Sequence, residues 1–501
     1  MVRVALGCGR AGILACTLAL LAPTPAPLAG QSDTLRLSLD RAMELARAEN
    51  PAYLATRNDR EIADWEVREA YGQLFPSASI GSTFSWQAAG EQRFGSLTLA
   101  QDLPAYYLSS YDIGVSYQLN GTTLLAPSAA RARRTATDAQ IRAAEMSLVA
   151  AVTRAYLEVL RSAEGELLAA QQLERARFNL RLARAQQEVG AVTQLDVRQA
   201  EVQVGRAEVA LLQATNALDT ARLRLLQQIG LDPDRPVALT TAFELKELTW
   251  DRDALLATAL ERNPQLRART AILDASRVQV QQARSAYLPT LSARAGITGY
   301  TRQATNTGSL IAQAQARVAE QVEQCVVLNQ LYRRLADPLP TRDCTMLAFT
   351  DAQRNQIVAQ NEAFPFDFTR QPASASISLS LPLFQGLSRE RQLEAARVQR
   401  SDAELQVREQ QLALTADLTI ALRAVATAYR SAEIEARNRG VAAEQLRLAG
   451  ERYRLGAISF VDLVDAETLK AEADQAYVNA VYAYHDAVTA LETVVGAELR
   501  E

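Results

Sequence analysis

One histidine, His485, and four cysteines are all that this 501-residue chain offers for imidazole or thiolate chemistry. No His/Cys/Asp cluster has metal-ligand spacing, and no glycine-rich phosphate loop follows a strand. These absences argue against an enzyme and against any cofactor. His485 falls in a helical pattern and reads as a structural residue. Charge is scarce in net terms, at −4, and no basic stripe points to nucleic acid. Proline is missing from the whole stretch between Pro127 and Pro233, and again after Pro382. Past the first thirty residues no stretch reads as the ~20 apolar residues of a membrane-spanning helix.

What is present is a long pattern written twice. Asn50-Pro51 precedes Pro76, and Asn263-Pro264 precedes Pro289, with 25 positions between the prolines each time. A two-residue alternation follows in the same phase. Ala78, Ile80, Phe84 and Trp86 alternate with Ser77, Ser79, Thr83 and Ser85; Leu291, Ala293, Ala295 and Ile297 alternate with Ser292, Arg294, Gly296 and Thr298. A second alternation comes at Tyr111 to Leu119 and at Ser374 to Leu383. Each half therefore holds two strands with one apolar and one polar face.

The proline-free stretches are rich in Ala, Leu, Gln, Glu and Arg, and read as long helices. Ser128 to Gly190 alone would span roughly 93 Å, too long for a globular core to enclose, so such rods pack along their lengths against other rods. They turn at Val189-Gly190-Ala191 and at Leu455-Gly456-Ala457. Glycine suits the left-handed residue that ends a helix, and Thr193-x-x-Asp196 and Ser459-x-x-Asp462 fit capping boxes for the returning helices. The expected organisation is a first repeat over 31–230, with strands near 77–87 and 110–120 and a helical hairpin over 128–230. A connector follows at 231–249. The second repeat covers 250–501, with strands near 290–300 and 373–384 and a hairpin over 388–496. Pro76 to Tyr117 is 41 positions whereas Pro289 to Leu381 is 92, so the second copy carries about 51 extra residues, placed within 303–371.

Residues 1–30, with Arg3 and Arg10 before an apolar run from Ala11 to Ala22, read as a secretory signal peptide. Ile13-Leu14-Ala15-Cys16 offers a lipobox alternative, although apolar residues continue past Cys16. Cys325 and Cys344 lie 19 positions apart in one exported segment, which favours a disulfide over two free thiols. Four strands with an apolar face cannot close a barrel, and an open edge is costly in lipid. Three copies would give twelve strands around a polar lumen, with aromatics such as Phe84, Trp86, Tyr106, Tyr107, Tyr111 and Tyr300 near the interfaces.

The duplicated order, Leu381-Pro382-Leu383-Phe384-x-Gly386, and the tip Gly456-x-x-x-x-x-Asp462-Leu463-x-Asp465-Ala466 resemble the TolC family of outer-membrane efflux factors across nearly all of the chain except the insert. The resemblance implies a mainly α-helical homotrimer. Its twelve-stranded transmembrane β-barrel lies in outer-membrane lipid and continues as an α-helical barrel through the periplasm. It implies a passive exit duct for efflux or type I secretion, docked to a periplasmic adaptor and through it to an inner-membrane pump. The rival reading is an exported structural or adhesive coiled-coil protein, which would have no use for lipid-compatible strands.

Site residues follow from the same comparison. Asp196 and Asp462 have an ordinary duty as helix caps, but Asp465, three residues after Asp462, does not. In the family, aspartates at the positions of Asp462 and Asp465 constrict the periplasmic entrance and attract cations, and Asp196 matches another gate position. Tyr453 matches a tyrosine that holds the entrance shut by hydrogen bonding; its ordinary reading is helical packing. Ile458 stands where the best-known gate has an arginine, which puts that closed-state ion pair in doubt here, with Arg452 or Arg454 as substitutes. By resemblance, Val189, Gly190 and Ala191 together with Leu455, Gly456 and Ala457 receive the adaptor.

Overall fold

A computed structural model describes residues 35–94, 97–247, 249–337 and 339–500. The leader over 1–30, Cys16 included, lies outside the described residues. In chain order the elements are β1 Leu35–Leu37, α1 Leu39–Glu49, α2 Pro51–Gly72, β2 Ser77–Gln87, β3 Gly90–Phe94, β4 Leu97–Leu103, β5 Tyr106–Leu119, α3 Gly121–Glu188, α4 Gln194–Ile229 and β6 Val237–Leu239. They continue as α5 Arg252–Arg262, α6 Pro264–Ser285, β7 Thr290–Ala304, α7 Gly308–Arg333, α8 Asp351–Gln360, β8 Thr369–Arg370, β9 Ser374–Ser380, α9 Ser388–Arg454 and α10 Phe460–Val495. The fold is mostly helical, and it forms two compact units, each assembled from pieces of both sequence copies.

The first unit takes residues up to Asn50, Val149–Glu247 and Thr427–Asp486. The connector, described up to Glu247, folds into this unit. β6 pairs in parallel with β1, and the buried Tyr156 hydroxyl donates to Leu37 O at 2.8 Å while accepting from Thr240 N and Thr241 N. Asn50 Nδ2 donates to Gln228 O at 2.7 Å, at the end of α4. Gly230, at φ 88, follows that end, and a Cβ there would lie 2.4 Å from Glu49 O. His485 is buried against Phe243 and Tyr484, with ring centroids 5.0 and 5.1 Å away.

The second unit takes Pro51–Leu148, Leu248–Ala426 and Ala487–Glu501. It contains the local arrangement of Asn50 over again. Asn263 Nδ2 donates to Val494 O at 2.9 Å, near the end of α10, and Gly496 at φ 76 lies against Arg262 O. Asn263 also caps α6 by accepting from Leu266 N at 2.9 Å. The repeated Asn-Pro thus has one physical cause: Pro starts a helix, while Asn ties that start to the free carbonyls of another helix end.

The sheet of this unit runs β2-β5-β7, with β8 and β9 both on the far side of β7, all antiparallel. Cross-strand partners share a face. Ile80, Ile113 and Ile297 form one apolar row, and Leu291 with Leu379 another. Ser79, Gly114, Gly296 and Ser374 form a row on the opposite, polar face. The outer edges of β2 and β9 have no partner strand among the described residues. No closed barrel is present among the described residues of the single chain.

Four expectations shift. The helix expected from Ser128 begins at Gly121, before Pro127, because Asn120 Oδ1 caps it, accepting from Thr123 N at 2.8 Å. β9 stops at Ser380 rather than near 384, since Pro382 has no N–H to donate to a ladder. Tyr106 and Tyr300 fall on the polar face by register, Tyr106 lying beneath the Arg302 guanidinium, so of these six aromatics Phe84, Trp86, Tyr107 and Tyr111 share the apolar face. A stretch of α9 is long and apolar enough, by length and composition alone, to cross a membrane, contrary to the sequence reading. Its Leu414 and Leu418 are buried, whereas Leu412 and Ile420 are exposed.

The insert contains α7 and α8, and Cys325 and Cys344 are joined at an S–S distance of 2.02 Å. Its return is fastened to the sheet. Asn361 binds both backbone groups of Ala304, and Phe364 and Phe368 rest on Tyr107 and Tyr111 of the apolar face.

Candidate functional site

The two helix turns of the first unit close in the same way. Gly190 and Gly456 take φ of 75 and 72. Ala191 N donates to Gln186 O at 2.8 Å and Ala457 N to Arg452 O at 2.9 Å, the Schellman pattern that satisfies a last-turn carbonyl. Val189 and Leu455 are left 79% and 83% exposed, so each tip presents an aliphatic side chain to solvent. Such exposure carries no folding benefit, and it leaves both side chains free to be buried by another molecule.

The returning helices begin with reciprocal caps. Asp196 Oδ2 accepts from Thr193 N and Oγ1 at 2.8 and 2.7 Å, and Asp196 N donates to Thr193 Oγ1. Asp462 Oδ2 accepts from Ser459 N and Oγ at 2.9 and 2.7 Å, and Asp462 N donates back to Ser459 Oγ. The Ser459 hydroxyl, then its backbone N–H, hold the Asp462 carboxyl below its ordinary range. Asp465 is exposed and takes part in no hydrogen bond or ion pair among the described residues. The two aspartates therefore differ: one is spent on its own helix end, the other is free.

Tyr453 is 97% removed from solvent, in a cluster with Ala183, Val197, Ala200, Phe460 and Leu463. Its ring centroid lies 5.8 Å from that of Phe460. Its hydroxyl has no hydrogen-bond partner among the described residues. Packing holds this ring, and burial, followed by the nearby Asp196 charge, pushes its hydroxyl above the usual tyrosine range. Ile458 packs against the same cluster, so the position that the resemblance associates with an arginine contributes apolar contact instead.

Beside the cluster lies an open groove of about 450 Å3 lined by Phe178, Asn179, Tyr453, Leu463 and Glu467 among others. Asn179 Nδ2 donates to Glu467 Oε1 at 2.6 Å. Burial raises the Glu467 carboxyl above its ordinary range, against the lowering pull of that bond and of the Arg175 charge. Sequence reasoning missed Glu467, and it missed Asp474, which is 3% exposed and bound by Arg439 Nε at 2.8 Å and by Lys470. Burial pushes the Asp474 carboxyl up, but the bonds to Lys470 and Arg439 outweigh it and leave it below the usual range. The i, i+4 spacing of Lys470 and Asp474 was the available signal. The Arg439 contact, from another helix, was not legible.

The family model described as outer membrane efflux protein matches residues 42–231 and 345–497. The chain belongs to the outer membrane efflux protein family. The unmatched stretch over 232–344 takes in the connector, α5, α6, β7 and α7. The family member is 26% identical over 276 residues to Protein CyaE of Bordetella pertussis, which covers 55% of this chain and 56% of that protein. It is 31% identical over 137 residues to the outer membrane efflux protein BepC of Brucella suis, covering 27% and 29%. The matched region thus spans about half the length of the first relative and under a third of the second. The fold is similar to the Campylobacter jejuni CmeC outer membrane channel at a TM-score of 0.68 and 16% identity, over 92% of this chain and 87% of that one.

Proposed function

We propose that this family member is a passive exit duct in the outer membrane, serving an efflux or type I secretion system. One observation carries the reading. The sheet has an apolar face, a polar face and two edges without a partner strand among the described residues, an arrangement that lipid tolerates only when the edges are closed. Three copies supply twelve strands and a polar lumen. Exposed apolar side chains of α9, such as Leu412 and Ile420, would be covered by neighbouring copies in the helical barrel below.

In this reading each sequence copy supplies half of one subunit, and the helical tunnel crosses the periplasm. A periplasmic adaptor seats on Val189–Ala191 and Leu455–Ala457 and links the duct to an inner-membrane pump. Asp196, Tyr453, Asp462 and Asp465 line the periplasmic entrance. The duct performs no catalysis and needs no cofactor; energy comes from the pump. The insert with Cys325 and Cys344 faces the cell exterior, because it joins the far ends of β7 and β9, whose near ends lead to α6 and α9.

The test is a mass measurement of detergent-extracted protein together with planar-bilayer recording. A trimer that conducts ions is expected. A stable monomer or dimer without conductance refutes the reading.

A further inference from the structure

The polar face of the sheet carries three charges, and they are not equivalent. Register places Asp112, Arg294 and Arg302 on that face. Arg302 is occupied, its guanidinium 3.4 Å from the Tyr106 ring centroid, and Asp112 lies against Gly81. Arg294 is exposed and has no hydrogen-bond, ion-pair or ring partner among the described residues.

Hydroxyls flank Arg294 across the strands, and toward the sheet end it also lines a second groove, of about 650 Å3, with Ser77 and with Glu69 of α2. In its own row across the strands stand Ser116 and Ser376. The next row is Ser79, Gly114, Gly296 and Ser374. The two glycines directly beyond Arg294 carry no side chain, which leaves a groove of about 390 Å3 whose lining holds one guanidinium, four serine hydroxyls and no carboxylate. Asp112 is two rows away along the strands. A fork of N–H donors with adjoining hydroxyl donors matches the acceptor oxygens of an oxyanion.

We propose that Arg294, with Ser79, Ser116, Ser374 and Ser376, is a binding site for a phosphate, sulfate or carboxylate group on the polar face of the sheet. The site is complete within one chain. Its role in passage rests on the duct reading: in a closed barrel three such sites ring the lumen, favouring anionic cargo opposite the entrance carboxylates.

The probe is inorganic pyrophosphate, measured by equilibrium dialysis against the full-length detergent-extracted protein and by current block in planar bilayers. One unit charge about 5 Å from its partner in water changes binding about fourfold, so Arg294→Gln should weaken pyrophosphate by about fourfold per unit of ligand charge. Arg294→Lys should keep most of the affinity, and Ser374→Ala with Ser376→Ala should lose a smaller part. Equal affinity of the parent protein and Arg294→Gln, or no binding by either, overturns the site. Unchanged circular dichroism and mass check that the exposed substitution has not disturbed folding. Absence of conductance with Arg294-dependent binding refutes the duct and keeps the site; conductance with Arg294-independent binding refutes the site alone.

Discussion

Removing the side chain of Asn263 breaks two bonds at one buried point, and the cost can be worked from them. Asn263 is 4% exposed; its Oδ1 caps α6 at Leu266 N, and its Nδ2 serves Val494 O, one of the last carbonyls of α10. Loss of a cap costs about 1 kcal/mol. A buried carbonyl left without a donor costs about 1–3 kcal/mol. Val494 is partly buried beside Ala259, Leu266 and Leu414, an apolar surrounding that limits replacement of the lost donor by water. Asn263→Ala should therefore destabilise this junction by about 2–4 kcal/mol, and amide exchange through local opening should quicken by about 30-fold to 1000-fold. The assay is hydrogen–deuterium exchange of detergent-extracted protein, read on peptides covering 263–270 and 490–500. Asn263→Ser separates the terms, because a serine retains the cap but does not reach Val494. It should protect the α6 peptide and still release the α10 peptide. Exchange of both peptides within threefold of the parent protein for Asn263→Ala would refute the reasoning.

Asp462→Asn should lower the stability of the α10 start, because the reciprocal bonds with Ser459 weaken, whereas Asp465→Asn should leave it unchanged; thermal unfolding of the two variants decides this. If both aspartates line the entrance, Asp465→Asn should also reduce cation selectivity in single-channel recordings, and unchanged selectivity would return Asp465 to an ordinary solvated face. Since Asp462 has its carboxyl depressed in the folded protein, the stability it contributes is present above the unfolded-state titration and is lost as pH falls through the folded one. Gly456→Ala should cost about 1 kcal/mol from the left-handed backbone alone, because open space surrounds a Cβ there, and melting curves would detect it. Glu467 has its carboxyl raised by burial, so its protonated form suits the fold: stability is full at low pH and is lost as pH rises through the folded titration. Glu467→Gln should therefore raise the melting temperature near neutral pH and leave it unchanged at low pH; an equal shift at both would contradict the burial argument.

The sequence by itself determined whatever depends on period and on backbone permission. Alternation at 77–87 places Ile80 and Ser79 on opposite faces wherever a strand forms there. Gly190 and Gly456 end helices because their backbone takes the left-handed region, and Thr193 and Ser459 begin the next ones with a side-chain oxygen three residues from an aspartate. All of this is local chemistry, written within a few residues. Tertiary structure alone decided which distant groups meet. Nothing near Tyr453 in the chain shows that its hydroxyl would be left unpaired among Val197, Phe460 and Leu463, because that cluster draws on four helices. Asn50-Pro51 and Asn263-Pro264 were visible as a repeat, yet the acceptors that explain them, Gln228 O and Val494 O, lie 178 and 231 residues away. Arg294 looked like any polar-face residue until strand register set glycines beyond it and serines beside it. Pairing across strands and helices depends on where the chain returns, and that is fixed by the summed packing of the fold rather than by any residue's neighbours in sequence.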